Sequence, residues 1–222
     1  MNILAIETSS SACSAALYCE NPEGIGHTIS IHEIAPMQHT SIILPSIQSL
    51  LEQAGLSISD INAIAFGCGP GSFTGIRIAA SLAQGLAYAD DMPVIPVSSL
   101  AAIAQAAYIE NGWERLLTAV DARMGQIYWC AFEVEKGLVK PLINEELTAP
   151  EAVESINAGS WYGIGDAWDI YRPNLVSAIG FEPAQIDAGR LPSAEAVLSI
   201  ARDRYRKGEW VSADKALPIY LR

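Results

Sequence analysis

The chain has 222 residues, half of them hydrophobic and 17% charged, with a formal net charge of -12. That length supports one or two domains with a sizeable core. No run approaches the ~20 apolar residues of a membrane helix, and Met1-Asn2-Ile3-Leu4 lacks the basic region of a signal peptide. A cytoplasmic location is therefore expected. With 13 Lys and Arg against 25 acids, the chain is a poor ligand for phosphate backbones by itself, so contact with nucleic acid should pass through a partner.

In chain order, residues 3–7 read as a strand, 13–19 as a second with partial alternation, and 27–34 as a third, with a turn at Asn21-Pro22-Glu23-Gly24. Thr40 or Ser41 is placed to cap a helix running to Ala54, with Pro45 near its first turn or kinking it. Gly55-Leu56 reads as its stop. A short apolar strand at 61–66, a glycine-rich loop at 67–75, a helix at 76–88 and a strand at 94–97 follow. Ser98 or Ser99 then caps an alanine-rich helix to Tyr108.

The pattern restarts at residues 116–121. An offset of 114 carries Ala5-Ile6-Glu7 onto Ala119-Val120-Asp121, and the strand at 13–19 onto 127–133. A Lys136-Gly137 turn, a strand at 139–143, a helix at 151–156 behind Pro150, a strand at 161–164 and a last helix at 193–207 complete the reading. Trp161 to Asp166 is a strand end closed by a glycine-rich turn. The expected fold is α/β, two actin-like lobes (ASKHA, ribonuclease H-like) on a duplicated βββαβα plan, unlike the β-α-β opening of a Rossmann domain. The expected domains are 1–102, a first lobe with partner-binding helices, and 103–222, a second, reduced lobe whose last helix is free to pack back on the first.

Few residues could carry chemistry. The loop Gly69-Pro70-Gly71-Ser72-Phe73-Thr74-Gly75-Ile76-Arg77 joins a strand to a helix, where free N–H groups can hold a phosphate or carboxylate. It lacks the Gly-Lys-Ser/Thr ending of a Walker A loop and the G-x-G-x-x-G spacing, and a tight turn between packed elements explains it equally. His27, His32 and His39 have no metal-ligand spacing. The first two read as solvated and His39 as a capping or interface residue. Gly71-Ser72-Phe73 is off-pattern for a nucleophile elbow and has no histidine base. Glu7 and Asp121 end the first strand of each lobe, where a nucleotide-bound metal would sit. Cys13, Cys19, Cys68 and Cys130 form no C-x-x-C pair and read as small core residues.

Several of these stretches resemble one family. Ala5-Ile6-Glu7-Thr8-Ser9-Ser10, the loop from Gly69 to Arg77, Val97-Ser98-Ser99-Leu100, Val120-Asp121-Ala122-Arg123-Met124-Gly125-Gln126-Ile127-Tyr128 and Pro218-Ile219-Tyr220-Leu221-Arg222 are similar to the TsaB family of bacterial tRNA threonylcarbamoyladenosine biosynthesis. The resemblance implies a non-catalytic paralogue and partner of the catalytic subunit TsaD, acting with the ATPase TsaE in threonylcarbamoyl transfer to the adenosine beside the anticodon. It further implies that Ser99 and Ile103 stand where TsaD has metal-binding histidines, and neither side chain can replace an imidazole. No catalytic residue, metal or cofactor is expected of this chain, with ATP or ADP expected at most at the interface of the complex. A heterodimer with TsaD, a homodimer when alone, and tRNA contact only through the complex are expected.

Two helices are candidates for that interface. The first places Ile43, Ile47, Leu50 and Leu51 on one face, with His39 before it. The second has a stripe of large residues, Ile78, Leu82 and Leu86, and a smaller-residue face of Ile76, Ala79, Ala80, Ala83 and Ala87. Small residues permit close helix approach, and the resemblance makes the second face the expected contact; packing of that face inside the chain, with Ile78, Leu82 and Leu86 then forming the surface, is the alternative. Two alternatives stay open: a phosphotransferase or ATPase of the same fold using Glu7 and Asp121, and a peptidase using Ser72.

Overall fold

The computed structural model describes residues 1–21 and 23–221. Pro22 of the predicted turn and Arg222 of the terminal motif lie outside the described residues. The chain divides into two compact units, Met1–Ala102 with Pro192–Ile219, and Ile103–Leu191 with Tyr220–Arg222.

The first unit begins with β1 (Asn2–Glu7), β2 (Ala12–Glu20) and β3 (Gly26–Ile34), an antiparallel meander. Then come α1 (His39–Ala54), a 3₁₀ turn at Ile58–Asp60, β4 (Ala63–Gly69), α2 (Phe73–Tyr88) and β5 (Val94–Ser98). β4 and β5 add in parallel, giving the order β3-β2-β1-β4-β5. α1 starts at His39 with Gln38 as a cap that makes no side-chain bond, so Thr40 and Ser41 lie inside the first turn rather than capping it. Its end follows the sequence: Gly55 is left-handed, φ 66°, and the Leu56 N–H bonds back to the Leu51 carbonyl.

Alternation in the strands separates the two faces of this sheet. Leu4, Ile6, Ala15, Leu17, Ile64 and Phe66 pack with the inner sides of α1 and α2 in one buried cluster. The opposite face is covered by α5 (Ala194–Lys207), the last helix of the chain. Ser193, the first residue of the helix expected at 193–207, is its cap, and the Ser14 hydroxyl accepts the Ala194 N–H at 3.0 Å. Arg202 lies over the Tyr18 ring, 3.7 Å from its centroid.

α3 (Ser99–Asn111), capped by the Ser98 hydroxyl, leads into the second unit. There β6 (Arg115–Arg123), β7 (Gln126–Glu135), β8 (Leu138–Pro141), β9 (Glu146–Thr148), β10 (Tyr162–Ile164), α4 (Ala167–Ile179) and β11 (Gln185–Asp187) follow. Its sheet order is β11-β10-β6-β7-β8, with β9 paired to β7. Read from β8, this repeats the first sheet strand for strand, which is the duplicated actin-like plan. Trp129, Trp161 and Trp168 fill its core, and the Trp168 Nε1 donates to the Leu117 carbonyl at 2.9 Å.

Several expectations need correction. Ala5 pairs with Ala16, but Ala119 pairs with Trp129 rather than Cys130. The constant offset of 114 therefore sets the second strand one residue out of register, which would exchange its two faces. The helix expected at 151–156 is only a 3₁₀ turn, Pro150–Ala152. α4, β9 and β11 had no counterpart in the sequence reading. No helix of the described residues is long and apolar enough to cross a membrane.

Candidate functional site

The segment expected as a glycine-rich loop is mostly regular structure: β4 runs through Gly69, α2 begins at Phe73, and only Pro70 to Ser72 lie between them. The glycines serve close approach instead. A Cβ at Gly71 would stand 2.5 Å from the Ser9 carbonyl oxygen, and one at Gly75 would overlap the Thr8 carbonyl oxygen. The Ser72 N–H donates to the Ser9 carbonyl at 2.7 Å, and the Thr8 hydroxyl donates to the Gly75 carbonyl at 2.7 Å. The chain's own Thr8-Ser9 backbone thus packs against the start of α2, and the Ser72 and Gly75 N–H groups are taken within the chain. The Ser72 hydroxyl accepts the Gly75 N–H at 3.4 Å as a helix cap.

Glu7 is fully buried, its Oε1 accepting the Ser9 N–H at 2.5 Å and its Oε2 facing the Ser99 hydroxyl at 3.4 Å. Asp121 is paired with Arg123 at 2.9 Å, and its backbone N–H donates to Asp166 Oδ1 at 2.8 Å. Each acid is engaged within its own unit. His39 is buried, with Nε2 3.2 Å from the Ala12 carbonyl, and so is neither an exposed cap nor a surface residue. Ser99 and Ile103 are both buried. Among the described residues no group of three or more His, Cys, Asp or Glu is placed to hold a metal ion.

Burial pushes the Glu7 carboxyl up from its ordinary 4.5, against smaller opposing pulls from hydrogen bonds with Ser9, Ser99 and Thr8. Burial likewise raises Asp166. A raised carboxyl pKa means that the native state holds its proton longer than the unfolded one. The associated stability is fully present below the unfolded value and falls as pH rises through the folded value. Glu7→Gln is expected to flatten this loss as pH rises above 4.5, read from urea midpoints. Parallel profiles for variant and parent would refute the assignment.

An open, apolar groove of about 490 Å³ lies between α1 and α2 in this unit. α1 contributes Thr40, Ile43 and Leu44, and α2 contributes Phe73, Thr74, Arg77, Ile78, Ser81 and Leu82. Leu44 is 48% exposed and Phe73 59%, with the Arg77 guanidinium 3.5 Å from the Phe73 ring centroid. The residues expected at the interface lie mainly on the other side of these helices. Ile76, Ala79, Ala80, Ala83 and Ala87 are buried toward the sheet, as are His39, Ile43, Ile47 and Leu50, and Leu51 is half-buried. Of these, only Ile43 also lines the groove. The physical reason is packing: alanines let α2 approach its own sheet, which leaves the larger Ile78, Leu82 and Leu86 at its outer edge. Leu44 was missed, and Phe73 was named only as part of the motif loop, not as a groove residue. For Leu44 the signal was a large apolar residue beside the core stripe of its helix, next to Ile43.

A family model described as TsaD, tRNA N6-adenosine threonylcarbamoyltransferase, matches residues 28–165. The tRNA threonylcarbamoyladenosine biosynthesis protein TsaB of Escherichia coli (strain K12) is 40% identical, covering 100% of this chain and 95% of that protein. TsaB of Haemophilus influenzae is 37% identical, covering 100% and 94%. Of solved structures, YeaZ from Pseudomonas aeruginosa superposes with a TM-score of 0.90 at 42% identity, over 99% of each chain. A Pseudomonas aeruginosa chain described as an uncharacterized protein with similarity to peptidase YeaZ gives 0.91 at 41%, over 100% and 99%.

Proposed function

The chain belongs to the TsaB family of tRNA threonylcarbamoyladenosine biosynthesis proteins, and from that premise we propose that it is a non-catalytic subunit that binds and positions TsaD. The observation that carries this reading is the apolar groove between α1 and α2. Solvent-facing Leu44 and Phe73 beside half-buried Ile78 and Leu82 make a surface that gains from being covered by another apolar helix. The reading assigns the chain no metal or cofactor of its own and leaves ATP or ADP, TsaE and tRNA to the assembled complex. The charge of -12 supports contact with tRNA through the partner. The commitment of the Ser72 hydroxyl to capping α2 weighs against a peptidase, and the internal bonds of Glu7 and Asp121 weigh against a phosphotransferase.

Leu82→Arg tests it. The long side chain reaches water in the free chain but places an unpaired charge in a covered groove. Co-elution with TsaD is expected to be lost, a weakening on the order of 30-fold or more, while the melting temperature of the chain alone changes little. Threonylcarbamoyl transfer by TsaD, TsaE and the adenylate should fall with it. Unchanged binding by Leu82→Arg, or transfer by this chain freed of TsaD, would overturn the reading.

A further inference from the structure

The acid that ends β1 is spent inside the fold. A Cβ at Gly67, the β4 residue beside it, would overlap Glu7 Oε2, so the carboxyl fills a notch that only glycine leaves open. An apolar side chain could fill the same space without the penalty of burying a carboxyl. What an apolar side chain could not do is hold the next peptide. The Ser9 N–H donates to Glu7 Oε1, and the Ser9 carbonyl accepts the N–H of Ser72, the cap residue of α2. Through one residue, by the two peptide groups that flank the Ser9 Cα, the carboxyl on the α5 side of the sheet is therefore tied to the start of the helix on the other side. That helix carries Phe73, Ile78 and Leu82 into the groove.

We propose that Glu7 is a positioning residue, which holds Ser9 by its N–H so that the Ser9 carbonyl meets Ser72, and so fixes the α2 wall of the groove for its partner. The proposal rests on the groove being the TsaD-binding surface. It explains why a chain read as non-catalytic spends a carboxyl group at a fully buried position.

The test compares Glu7→Gln with Glu7→Ala. The Gln amide oxygen can accept from Ser9 and its nitrogen can donate to the Ser99 hydroxyl, whereas Ala can do neither. Glu7→Gln is expected to bind TsaD within about twofold of the parent, and Glu7→Ala about 10–100-fold more weakly. Hydrogen exchange should quicken in Glu7→Ala at the amides of residues 72–77 while β5 stays protected, a local change that general destabilisation would not give. Should Glu7→Ala not fold, Glu7→Asp, which draws the carboxyl back by one methylene, replaces it with the same expectation. If the Ala or Asp variant binds TsaD as the parent does while Leu82→Arg does not, the positioning role is wrong and the groove reading stands. If Leu82→Arg binds too, the groove reading has failed and the inference with it. Faster exchange spread evenly over the unit would also overturn the positioning role.

Discussion

Gly75→Ala is expected to cost about 4 kcal/mol or more, at the rare end of single substitutions, although it adds one methyl group. The new Cβ would overlap the Thr8 carbonyl oxygen and lie 3.0 Å from the Thr8 carbonyl carbon. Backbone cannot swing aside as a side-chain tip can, and the Thr8 hydroxyl ties the same two segments together at 2.7 Å. The start of α2 or the β1–β2 connection would have to move. For a chain of this length the melting temperature should drop by roughly 10 °C. Gly85→Ala is the control, since nothing lies within 4 Å of a Cβ there. It should raise stability slightly by improving helix propensity. Equal melts for the two variants would mean that the Thr8–Gly75 contact is not as close as described.

The second large effect concerns α5. Leu198 is 1% exposed and faces the sheet of the first unit together with Ala194, Val197 and Ala201. Leu198→Asp removes about 2–3 kcal/mol of buried apolar area and leaves a charge without a partner, for a total on the order of 5 kcal/mol. That approaches the ~5–15 kcal/mol stability of a typical domain. The variant should be recovered mainly as insoluble or protease-sensitive chain, with early cleavage within residues 1–102. Glu195→Ala, an exposed position one turn earlier, should change stability by less than about 0.5 kcal/mol. Soluble, protease-resistant Leu198→Asp would show that the first unit does not depend on α5.

What the sequence revealed followed from local physics. The first meander announced itself by alternation, the end of α1 by Gly55 and the start of α5 by Ser193. α4 was hidden because Pro173 and a non-helical Tyr171, φ -124°, break its pattern, although Gly165-Asp166 and the left-handed Gly180 bracket it. β9 and β11 have three residues each, too few for alternation to register. The motif from Gly69 to Gly75 was visible, but its meaning was not. Glycine is required there for room against the Thr8-Ser9 backbone, and local sequence cannot distinguish that from a flexible loop or an anion cradle. The two stripes of α2 were also visible, whereas which one meets the sheet is a tertiary fact. The alanines turned inward because the sheet demands close approach, and so the candidate surface passed to the larger residues.

The contribution of α5 to the first unit also fixes when that unit can be finished. Residues 1–102 leave the ribosome first, with one face of their sheet bare until residues 194–207 emerge. At roughly 5–20 residues per second, the intervening segment takes about 5–20 s to synthesise. Through that interval Ile3, Ala5, Ala63 and Ala65, all fully buried in the finished protein, have no helix of their own over them. Until α5 docks, the first lobe presents that apolar sheet face to solvent, where it is open to non-native contacts.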